Sequence, residues 1–180
     1  GLIFAAICLP GAEPMLESSL DLLGKEIRAQ IFPDGGHRER NPSRLLDVLS
    51  RFNQIRALLL DAHEEVPLDL QGAIDRVTPM LRALRHGDGG LALFNGGFEE
   101  DRTLIDTVLA GTGVRGKALT SAPHSGFQRL ASGRTVIIAD TGKPQLSDAR
   151  CAHAGTLSFE MSIGKNRLVV NCGAASTEGE

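Results

Sequence analysis

Apolar residues recur every three or four positions through the first two-thirds of the chain. Leu16, Leu20, Leu23, Ile27 and Ile31 form one stripe, and Leu45, Leu49, Phe52, Ile55 and Leu59 a second. Leu70, Ile74, Val77, Leu81 and Leu84 form a third. This spacing predicts amphipathic helices, each with one face turned to a core. Pro79 falls inside the third stripe, where it is expected to kink or split the helix. A shorter helix is expected around Leu104, Ile105, Val108 and Leu109. Pro14, Pro42 and Pro67 sit where a first helical turn is expected, and Asn41 is a suitable cap for the helix beginning at Pro42.

The period changes after Gly111. "RTVIIAD", Arg134 to Asp140, reads as a buried strand. "TLSFEMSIG" alternates strictly, with Leu157, Phe159, Met161 and Ile163 on one side and Ser158, Glu160 and Ser162 on the other. "GKN" turns the chain into "RLVVNCG". The expectation is an antiparallel sheet with one wet face, carrying the serines and the glutamate. The fold class is therefore α+β in two units, helical over 1–112 and the beginning of a β domain over 113–180.

Composition narrows the function. The 180 residues are 42% hydrophobic and 23% charged, with a net charge of −3. No nucleic-acid partner is expected, because such proteins usually carry a strongly basic footprint. Any anion site must be local. Cys8, Cys151 and Cys172 form no CxxC pair and do not suggest a disulfide framework. The opening "GLIFAAICLPG" is too short to span a membrane and lacks a basic leading region, so a buried helix is expected there, with no transmembrane segment.

Candidate chemistry concentrates in "FPDGGHRERNP", Phe32 to Pro42. Asp34, Gly35 and Gly36 make a tight turn, and Asn41 and Pro42 start a helix. His37, Arg38, Glu39 and Arg40 lie between these structural signals, with Arg44 one turn into the helix. Guanidinium groups and an imidazole near a helix N-terminus suit a carboxylate or sulfate; a solvated charged loop is the plainer alternative. "GTGVRGKA", Gly111 to Ala118, misses the P-loop pattern at Ala118 and follows a helix, so it reads as a linker. "PHSGF" around Ser125 lacks the first glycine of a nucleophile elbow. Cys151 and His153 would share a strand face and suit zinc or a nucleophile pair, although a packed cysteine beside a surface histidine is the plainer reading. His124 is an isolated loop histidine.

Taken in order, "LIFAAICLPG", "EIRAQIFPDGGHRERNP", "DGGLALFN", "SGFQRLASGRTVIIAD" and "CAHAGTLSFEMSIGKNRLVVNCG" resemble the heparinase II/III family of polysaccharide lyases. The resemblance implies the C-terminal part of an (α/α) toroid followed by the first strands of an antiparallel β-sandwich. It also implies β-elimination on uronic-acid polysaccharides: the uronate carboxylate is neutralised, a base takes the C5 proton, and an acid protonates the leaving oxygen. By the resemblance His37 or an upstream Asn-His motif would serve as base. Arg40 and Arg44 would bind the carboxylate, and Arg38, Glu39, Asn41 and His124 would complete the substrate site. No cofactor is required. The resemblance links the position of Cys151 and His153 to metal, with zinc the candidate, and implies the periplasm or cell envelope as the location, with the cytoplasm left open.

Two departures set the alternatives. The family's Ser-Pro-x-Tyr-His reads Asn41, Pro42, Ser43, Arg44 and Leu45 here, so the tyrosine position is Arg44, and a guanidinium holds its proton too tightly for acid/base work. The family's His-x-His-Ala-Asp reads Cys151, Ala152, His153, Ala154 and Gly155. The first expectation is a lyase on acidic polysaccharide. The second is a non-catalytic glycan-binding or cell-envelope protein, which Arg44 favours. A Cys151/His153 hydrolase or zinc protein is a third.

Overall fold

A computed structural model describes residues 1–143 and 157–172. Its helices come first: α1 (Leu2–Cys8), a short 3-10 turn (Glu13–Met15), α2 (Leu16–Gln30), α3 (Pro42–Asp61), α4 (Leu68–Ala83) and α5 (Arg102–Gly111). The strands follow: β1 (Ser121–Ala122), β2 (Phe127–Ser132), β3 (Thr135–Asp140), β4 (Phe159–Ile163) and β5 (Asn166–Val169). They form one antiparallel sheet in sequence order among the described residues. The whole is α+β, with helices and sheet sharing a core that runs from Leu45, Leu49, Ile74 and Leu81 through Phe94 to Phe127 and Ile138.

The helical stripes lie where their period puts them. α3 opens on Asn41, whose side-chain oxygen accepts the Arg44 N–H at 3.1 Å, with Pro42 supplying the pre-set first turn. α4 is not split: Pro79 sits inside one continuous helix. The loss of one backbone donor is tolerated because Val77, Met80 and Leu81 around it are completely buried, and the Pro79 carbonyl accepts the Leu119 N–H. Two expectations change. Leu104 faces outward on α5, and α1 buries only Ile3 and Ala6, leaving Leu2, Phe4 and Leu9 exposed. Among the described residues no helix is long and apolar enough to cross a membrane.

The sheet reverses the expected faces. Register aligns Phe127 with Asp140, Arg129 with Ile138, Ile138 with Glu160 and Val136 with Ser162, and this row meets the helical unit. Glu160 and Ser162 are fully buried, while Leu130, Phe159 and Ile163 face outward. The alternation is as expected and the wet face is not: the polar set packs inward because the helical unit supplies its partners. His86 bridges the two, with Nε2 2.9 Å from Glu160 and Nδ1 3.0 Å from the Ser162 hydroxyl. Glu160 also accepts the N–H groups of Leu93 and Asn171. Arg129 reaches across to the carbonyls of Ala83 and Arg85 at the end of α4.

Candidate functional site

The Phe32–Pro42 stretch is built by its turn. Gly35 has φ 85°, and a Cβ there would stand 2.1 Å from the Arg76 carbonyl oxygen, so the chain requires glycine on both counts. The Asp34 carboxylate accepts from Gly36 within the turn, then from the backbone N–H groups of His124 and Ser125 and the Ser125 hydroxyl. The turn thereby joins helices to sheet, which its sequence alone did not reveal.

Beyond the turn the candidate residues part company. His37 is 2% exposed. Its Nδ1 accepts the Glu39 N–H at 3.2 Å, and its Nε2 lies 3.3 Å from the Gln30 side-chain oxygen. Burial lowers its pKa; Glu39 opposes this, and Arg44 and Arg38 reinforce it. The ring is held neutral, and both its nitrogens are engaged. As placed, it does not present a free nitrogen to a sugar proton.

Arg40, expected by the resemblance to bind the substrate carboxylate, turns away from solvent as well. Its backbone is left-handed, at φ 57°. Its guanidinium donates to the carbonyls of Ser125 and Lys143, pairs with Asp140 and lies 5.4 Å from the Phe127 ring centroid. Gly142 makes room for it, since a Cβ there would lie 2.2 Å from a guanidinium nitrogen. Burial lowers the Arg40 pKa. Asn95 extends the joint by donating to the Arg40 carbonyl and to Asp140, while Asn41 donates to the Asn95 carbonyl. A buried ion with this many partners is a clasp between the two units.

Arg38, Glu39 and Arg44 remain at the surface. Arg44 pairs with Asp47 at 3.0 Å and approaches Glu39 at 3.9 Å. These residues border a groove of about 440 Å³ beside the start of α3, shared with Phe98, Glu100 and Leu104. Asn41 lines it too, but its side chain is committed to the helix cap and to Asn95. His124 is exposed on the β1–β2 turn, held through its backbone by Asp34. Cys151 and His153 lie outside the described residues. Among the described residues, no group of three His, Cys, Asp or Glu side chains is arranged to hold a metal ion.

Sequence reasoning missed His86, Asp88, Asp140 and Glu160. Asp88 receives Arg167 at 3.0 Å and Arg102 at 2.9 Å. Burial pushes the Asp88 carboxyl up, but the Gly90 N–H and Arg167 together hold it below its ordinary value. Each acid meets partners far away in sequence, so no local spacing marks it.

Helical layers clasped to an antiparallel sheet by buried polar joints define a heparinase III-like architecture. Residues 114–180 match the family model described as heparinase II/III-like, C-terminal. A heparinase III structure superposes with a TM-score of 0.79 at 18% identity, covering 99% of this chain and 32% of its own. Heparan sulfate lyase HepC from Pedobacter heparinus gives 0.75 at 17% identity, covering 95% of this chain and 30% of its own. At such identities these likenesses speak for the fold alone. FtsZ-localized protein C of Caulobacter vibrioides is 34% identical over 167 residues, 91% of this chain and 28% of that protein. The chain thus spans about a third or less of the proteins it matches.

Proposed function

We propose that the protein containing this segment binds glycan at the cell envelope without cleaving it by tyrosine-dependent elimination, and that it localises with FtsZ as its Caulobacter relative is named for doing. The observation carrying this reading is Arg44. It stands where the lyases' tyrosine is expected, offers a guanidinium in place of a phenol, and is tied to Asp47 at 3.0 Å. His37 supports it, because a buried neutral ring with both nitrogens engaged does not meet a sugar C5 proton. The 34% identity to the FtsZ-localized protein, against 17–18% to the lyase structures cited above, points the same way.

Elimination leaves an unsaturated uronate that absorbs in the ultraviolet. Full-length protein incubated with heparan sulfate and other uronate polymers is expected to give no such absorbance, and a steady rise would overturn the reading. A fluorescent fusion of the full-length protein is expected to follow FtsZ in dividing cells. A diffuse fusion, in cells where FtsZ rings form normally, would remove that part of the proposal.

A further inference from the structure

The groove beside α3 has the wrong charge for a uronate. Glu39, Asp47 and Glu100 line it with Arg44, and Arg51 pairs with Asp47 from beside it at 3.0 Å, which leaves a formal excess of one negative charge. Arg44 is already drawn to Asp47 and Glu39, so little of its charge is available to a newcomer. Like charges brought close together at a protein surface repel, which disfavours a carboxylated or sulfated sugar here.

The same groove suits an uncharged one. Phe98 is 62% exposed and Leu104 is 43% exposed, apolar surface that the fold leaves in water. Phe98 is also held in place. The Ser43 hydroxyl accepts its N–H at 3.2 Å and donates to its carbonyl at 3.3 Å, so the ring projects from a fixed backbone. An exposed aromatic ring on a pinned loop offers a platform for the C–H face of a pyranose. Carboxylates only accept hydrogen bonds, and sugar hydroxyls and acetamido N–H groups can donate them. A concave site with an apolar floor and a few directed polar groups is the usual form of a small-ligand subsite.

We infer that this groove takes an uncharged glycan chain of hexose or N-acetylhexosamine type and rejects uronate-rich polymer. The inference rests on the glycan-binding reading above and reverses the expected charge of the ligand.

The test titrates full-length protein with two hexasaccharides, one of N-acetylglucosamine and one of heparan sulfate, by calorimetry. The uncharged oligomer is expected to bind about tenfold tighter or more. Phe98→Ala should weaken it by a similar factor while leaving the melting temperature unchanged. Glu100→Gln should narrow the gap between the two ligands by admitting the anionic one. Tighter binding of heparan sulfate, or indifference to Phe98→Ala, would overturn the groove assignment and leave glycan binding standing. Binding of neither oligomer would overturn both.

Discussion

Arg40 and Arg44 lie one helical turn apart in sequence and have opposite fates. Arg40 is 6% exposed, paired with Asp140 and bonded to two carbonyls across the seam between helices and sheet. Arg44 is 46% exposed and ion-paired along its own helix at the rim of the groove. The seam is polar and buried; the groove is exposed, acidic and partly apolar. Charged residues that read as one cluster in the sequence thus divide between holding the molecule together and lining its surface. A like division separates the faces of the sheet, where Glu160 and Ser162 are buried and Phe159 and Ile163 are not.

The sharpest way to break this contrast is at the seam. Arg40→Ala leaves Asp140 buried without its cation and should cost about 3–5 kcal/mol. Denaturant titration should show a lower midpoint with an unchanged slope. A loss under about 1 kcal/mol would mean that Arg40 is not the clasp described. Asn41→Ala removes both the cap of α3 and a bond to the Asn95 carbonyl, and about 1–2 kcal/mol is expected by the same titration.

His37 gives a smaller effect with a definite direction. Its folded pKa is lowered by burial, so near pH 6.5 the unfolded chain takes up a proton that the folded chain refuses. Stability should fall as pH drops through about 6.5, and the loss should level off below the folded pKa. His37→Gln should flatten that part of the pH–stability curve, and an unaltered slope would show that His37 does not cause it. Arg44→Ala should change stability least, by about 0.5 kcal/mol or less, because exposed ion pairs contribute little. A large loss there would erase the distinction between the two arginines.

Much of the fold was legible in the sequence. The apolar stripes of α2 to α4, the Asn41–Pro42 start of α3 and the alternation in β4 follow from local periods and local chemistry. What the residues could not reveal were facts about distant partners. Alternation separates two strand faces without saying which one is covered, and Glu160 is turned inward by His86, 74 residues earlier. Pro79 stays helical because of the core packed around it. The candidate loop was found through its charge, but which of its side chains face inward depends on Asp140, a hundred residues later, and on Gln30.

The most direct measurement places a tyrosine at position 44. Full-length Arg44→Tyr, mixed with heparan sulfate and followed by the ultraviolet absorbance of unsaturated uronate, should still give no product, because His37 stays buried and the groove stays acidic. Product from that single exchange would show a working base and a carboxylate-accepting cleft, and would contradict the division between seam and groove.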